Sequence, residues 1–217
     1  MNHSFTSEGR PLPHDIVVLL HELIGSGAQG RRTLAQAVRL ATLAELELRQ
    51  IVVRDGPRVL LVDTESSGYA VLDTLASRLR WKGGRLPIVE IARTDLLRPE
   101  PVDSVDIVIQ DLVTRGVLHR DYFRSGAART VLQDVTDQLV LVSEILAVLD
   151  ESRPATDRAL ARVAVLALCD LLPAVLGAEL SEAQRRRVER IVHRWTFGPV
   201  LLRHRDAPSP ATELIGA

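Results

Sequence analysis

The sequence predicts a mostly α protein: a single compact helical domain around a buried central helix, with two short β-hairpins. Three observations predict it. Over residues 33–49 apolar side chains occupy nearly every direction around a helix, among them Leu34, Ala37, Val38, Leu40, Leu43, Leu46 and Leu48, so this helix needs neighbours on most sides. Helical spacing of apolar residues recurs through most of the remaining chain. Only two stretches, IVVRDGPRVLLVD and VLHRDYFRSGAARTVL, join β-rich runs across a short turn.

Taken in order, residues 1–12 carry no periodicity and read as a loose arm, and 206–217 (DAPSPATELIGA) as a loose tail. Residues 13–205 between them form the domain. Ile16, Leu19, Leu20, Leu23 and Ile24 fall on one helical face, with Pro13 and Asp15 as start signals. Next, Gly25, Gly27 and Gly30 reproduce the spacing of a dinucleotide-binding loop. That loop requires a strand before it and parallel strands after it. A helix precedes these glycines and an antiparallel hairpin follows the central helix, so GSGAQG is read as a helix-to-helix connection. The first hairpin turns at Asp55-Gly56. TESSG then supplies a cap for a helix over 69–81, which KGGRLP ends. Helices follow over 87–97 and 102–115, and Gly116 ends the second. The other hairpin has its tip at 125–128. Three helical stretches close the chain: 137–149, 154–176 with a bend at Pro173, and 181–197.

Composition narrows the function classes. The chain has 217 residues, 46% of them hydrophobic, enough to bury one full core. Its formal charge of −1 gives no global attraction to nucleic acid or an anionic surface, so any such binding needs a local patch. One cysteine, Cys169, excludes an internal disulfide and a cysteine zinc cluster. It lies in the apolar run VAVLALCDLL, where cysteine behaves as a small hydrophobe. No signal peptide or long apolar span is visible, which points to the cytoplasm. Of 27 basic residues only Lys82 is lysine, a bias of high-GC bacterial coding. Enzyme chemistry is poorly supported: His14, His21 and Glu22 lack HExxH-type spacing, so no metal and no cofactor is expected.

Four stretches, in order and spacing, carry a family resemblance: VRLATLAELELRQIVV, LVDTESSGYAVLDTLASRL, LVTRGVLHRD and RPATDRALARVAVLALCDLLPAVL. Together they resemble the Golgi phosphoprotein 3 family over about 14–195. The resemblance implies a non-enzymatic peripheral membrane protein. It also implies a basic pocket for a phosphoinositide head group, a hairpin touching the bilayer and a face for protein cargo. Arg39, six residues before Glu45, matches the family's pocket arginine. The pocket tryptophan falls near Gly30, and two later arginines fall on Val102 and Val105. The hairpin is shorter, with YFRSGAARTVL at its end. Selectivity for one phosphoinositide is therefore expected to be weak.

Arg39 stands on an otherwise apolar helix, so its guanidinium must find an ion pair or reach a wet pocket. Arg31 and Arg32 lie at the helix start, where backbone N–H groups attract anions and where a solvated turn serves equally. These three form the expected lipid head-group site. Tyr122, Phe123, Arg124 and Arg129 form the expected membrane-contact hairpin. Arg78, Arg80, Lys82 and Arg85 around Trp81 form a basic surface, suited to an anionic membrane or to compensating a helix dipole. RRRVERIVHR reads as an amphipathic helix with solvated charges. The expected partners are anionic phospholipid at the cytoplasmic face of the membrane and a protein cargo, with homo-oligomerisation open and nucleic acid excluded. Two other classes compete: a helical interaction scaffold without lipid binding, and a winged-helix DNA-binding regulator. The helix of the latter would carry Asp103, Asp106 and Asp111 against the phosphates.

Overall fold

The computed structural model describes residues 9–25, 27–63, 65–92, 104–122 and 128–205. Among them are ten α-helices, a three-stranded sheet and a two-stranded one, so the protein is mostly α. The central helix is α2 (Gly27–Leu48), preceded by α1 (Leu12–Leu19) and a 3-10 turn at His21–Gly25. Eleven of its residues between Leu34 and Leu46 are buried. Each large apolar side chain removed from water there contributes about 1.5–3 kcal/mol, which is why this helix organises the rest. α1, α3 (Ala70–Trp81), α4 (Ile88–Ala92), α5 (Ser104–Thr114) and α7 (Asp157–Leu168) pack around it.

The first hairpin pairs β1 (Val52–Asp55) with β2 (Arg58–Leu61), from Val52↔Leu61 to Asp55↔Arg58. Gly56 takes a left-handed φ of 60° at its turn, a conformation glycine adopts without steric cost. The expected lone hairpin gains a third strand, β3 (Arg85–Pro87), which sets Leu86 opposite Val59. The double glycine Gly83-Gly84, both at φ 77°, turns the end of α3 straight back into that strand. Below it, β4 (Leu118–Tyr122) pairs with β5 (Ala128–Leu132) as the second hairpin. The expected tip lies outside the described residues.

Three boundaries differ from those the sequence suggests. Arg10, Pro11 and Leu12, assigned to the loose arm, are buried, because Arg10 carries an ion pair and Leu12 starts α1. Gly27 to Gly30 belong to α2 itself. The long helix over 154–176 is two, α7 and α8 (Leu172–Leu176), broken where Asp170 takes φ 55°. The break precedes Pro173, which sits in the first turn of α8, where its missing N–H costs nothing. α6 (Thr136–Leu149) and α9 (Glu182–Arg194) fall near expectation, α9 opening on a capping box between Ser181 and Gln184.

The chain then adds α10 (Gly198–Arg205), tight against α9. A Cβ at Gly198 would run into the backbone carbonyl of Val192, which cannot swing aside as a side-chain end would. Gly198→Ala is therefore expected to lower the unfolding free energy by about 1–3 kcal/mol. Urea denaturation measures this, and an unchanged midpoint would refute the close approach.

Candidate anion-binding site

Most of the charge inside the molecule is spent on structure. The Glu45 carboxylate is 0% exposed and accepts four hydrogen bonds: two from Arg158 at 2.8 and 2.9 Å, one from Arg49 Nε at 2.8 Å, and one from the Leu12 backbone N–H at 3.0 Å. Asp15, equally buried, accepts from Arg10 Nε at 2.8 Å and Arg162 Nη2 at 2.6 Å. Arg162 reaches on to Glu144, and Arg10 to Asp137. Buried charges persist only when paired in this way. The signal for Arg162 was present in the sequence, since it interrupts an apolar helix just as Arg39 does.

His14 is also structural. It meets the Asp111 carboxylate at 2.6 Å and the edge of the Tyr69 ring, while His21 bonds the Val18 carbonyl. Burial holds the His14 imidazole below the ordinary histidine range, against the opposing pull of Asp111. It therefore protonates at lower pH in the folded chain than an unfolded histidine, which does so near pH ~6.5. The folded state then binds fewer protons, so this contribution to stability is complete above that pH and is lost as pH falls through it, by at most ~1.4 kcal/mol per unit. Urea midpoints at pH 7.5 and 5.5 should show the decline, and His14→Gln should flatten it. The Cys169 thiol is pushed up to about 12 by burial and by the charge of Asp170, so it is no nucleophile near neutral pH.

Arg39 behaves differently. It is half-buried and lines a small cleft of about 40 Å³ between α2, α3, β3, α4 and the start of α5. Arg78 of α3 lines the same cleft, as do Thr42, Thr74 and Ser104. Burial, and then the positive charge of Arg39, hold the Arg78 guanidinium below its ordinary value, with Glu90 partly offsetting. Two guanidiniums so placed share one field, and an anion between them would relieve it. Ser104 opens α5, where helix N–H groups favour negative charge. The residue is 9% exposed, and its buried hydroxyl has no hydrogen-bond partner among the described residues.

The structure separates the three residues expected at the head-group site. Arg31 lies eight residues before Arg39, roughly 12 Å along the helix, and pairs with Asp106 at 2.7 Å on the surface. Arg32 is exposed, and neither lines the cleft. The second cation comes instead from Arg78, which the sequence places with the basic surface, because α3 packs against α2 at this level. Val105 is fully buried in the core, and Val102 lies outside the described residues.

Arg80, Trp81, Lys82 and Arg85 are exposed at the end of α3 and the start of β3. Trp81 is 82% exposed, with Lys82 Nζ 5.3 Å from its ring centre, and Arg85 stands 3.6 Å from Asp55. In the second hairpin the backbone places Asp121 opposite Arg129 and Tyr122 opposite Ala128. Phe123, Arg124 and the side chains of Tyr122 and Arg129 lie outside the described residues. No helix among the described residues is long and apolar enough to cross a membrane.

A helical domain whose buried acids are structurally committed, and whose cleft beside Arg39 is lined by two arginines and hydroxyls, has the build of a recognition module. The family model for Golgi phosphoprotein 3 (GPP34) matches residues 12–203, and the chain belongs to that family, one of non-catalytic, Golgi-associated adaptors. A search of curated proteins finds no match.

Proposed function

We propose that the protein is a peripheral membrane adaptor that binds anionic phospholipid head groups in the cleft between Arg39 and Arg78, and carries a protein cargo at the cytoplasmic face of the membrane. The observation that carries this reading is the convergence of two guanidiniums and the buried Ser104 hydroxyl on one small cleft. A phosphate fits that donor set, since arginine forms charge-assisted bonds with it. The exposed Trp81 and its cations stand on the same helix as Arg78 and supply a bilayer-facing surface beside the cleft. In this reading the second hairpin, with Tyr122, Phe123, Arg124 and Arg129, is a further membrane contact.

Co-sedimentation with vesicles tests the reading. At low salt, recovery should be much greater with phosphatidylserine-containing vesicles than with neutral phosphatidylcholine vesicles, and equal recovery would refute it. The head group is read by two arginines, and buried Val105 adds no donor. Phosphatidylinositol 4-phosphate is therefore expected to bind only a few-fold better than phosphatidylserine at equal charge. A strongly selective signal in a lipid-panel assay would show that further cations complete the pocket.

A further inference from the structure

A separate groove of about 530 Å³ lies between the end of α2, the start of α7 and α9. It shares no lining residue with the Arg39 cleft. Its size is that of a ligand site, for which 300–1,000 Å³ is usual. The floor is apolar, formed by Leu48, Leu160, Ala161 and Ile191. Trp195 adds a ring fixed in place, its indole N–H donating to Glu47 at 2.9 Å and its edge meeting Phe197. Arg54, in the first hairpin, donates to the Thr196 carbonyl at 2.8 Å and holds that end of the groove rigid.

One wall is a row of cations. Arg187, Arg190 and Arg194 recur at helical spacing along α9, and all three line the groove. Their capacity is largely unspent. Arg187 and Arg190 share a single oxygen of Glu151, each at 3.0 Å. The Arg187 Nε is buried with no hydrogen-bond partner among the described residues, and Arg194 makes no ion pair among them. A guanidinium has five N–H donors, so the row has room for incoming carboxylates.

We propose that this groove binds a peptide segment of a partner protein, in which acidic side chains meet Arg190 and Arg194 and a bulky apolar side chain enters the floor beside Trp195. The far wall carries Glu47 and Asp157, which oppose the continuous negative charge of a bilayer surface or a nucleic-acid backbone. A concave floor also lies beyond the reach of a flat membrane. A peptide meets both constraints, since it presents separate carboxylates along one edge.

Trp195 is the reporter. In Trp81→Phe it is the single tryptophan, and titration with a hexapeptide of alternating leucine and glutamate should produce a saturable change in its emission. Arg190→Glu with Arg194→Glu should weaken binding about tenfold for each arginine removed. Both side chains are exposed, so the melting temperature should hold. A leucine–lysine hexapeptide should bind only the doubly reversed variant. Four results would overturn the proposal: no saturable change through the millimolar range, an unchanged affinity in the double variant, an equal response to the lysine peptide, or a response to anionic vesicles in place of the peptide.

Discussion

Arg162→Met is expected to lower the unfolding free energy by about 3–5 kcal/mol, because it removes one partner of a buried pair and leaves a charge behind. Arg162 is 1% exposed and bridges Asp15 of α1 to Glu144 of α6. Methionine keeps most of the volume, so the loss measures charge rather than packing. Against a typical domain stability of about 5–15 kcal/mol, this brings the fold near its limit. Asp15→Leu combined with Arg162→Met should cost less than the two single changes added together, since each single variant strands what the other removes. Guanidinium denaturation of the three variants checks this, and strict additivity would show that the pair acts independently.

Reversing Arg39 and Arg78 to glutamate should lower affinity for anionic vesicles by roughly a thousandfold. Each cation near such a surface is worth ~1 kcal/mol, and reversal adds repulsion of similar size, about 4 kcal/mol for the two. Added salt should narrow the difference between variant and parent, because the screening length falls from ~10 Å at 0.1 M to ~3 Å at 1 M. Arg31→Glu is the control. It changes the same charge on the same helix outside the cleft, so it should cost far less. Equal losses from Arg31 and Arg39 would mean that diffuse attraction, and no pocket, holds the protein to the vesicle.

The elements with long internal signals were legible in the sequence: α2 from its all-round apolar residues, α3 from its spacing and flanking turns, and both hairpins from alternation and turn residues. What escaped depends on distant neighbours. β3 is three residues long and exists only because β2 offers an edge to it. α10 opens on Gly-Pro, which reads as a stop, and forms because Gly198 allows close contact with α9. At the candidate site, Arg39 could be singled out because a cation on a buried helix needs an explanation. Arg78 sits on an amphipathic helix where arginine is ordinary, and only the packing of α3 on α2 brings it to the cleft. The same holds for Asp15 and Glu45, which pair locally with Arg10 and Arg49 but whose second arginines, Arg162 and Arg158, lie 147 and 113 residues away along the chain.

Those separations also bear on how the protein is made. While a ribosome is still synthesising the chain, α1 and α2 emerge with two carboxylates destined for burial. Each has one arginine close by in sequence, Arg10 for Asp15 and Arg49 for Glu45, but Arg162 and Arg158, which complete their pairing, follow more than a hundred residues later. At about 5–20 residues per second, that is a wait of roughly 6–30 seconds in which the N-terminal half can collapse only at the cost of desolvating incompletely paired acids. Full burial of these two acids is thereby favoured only once α7 arrives, which makes completion of the core a late step.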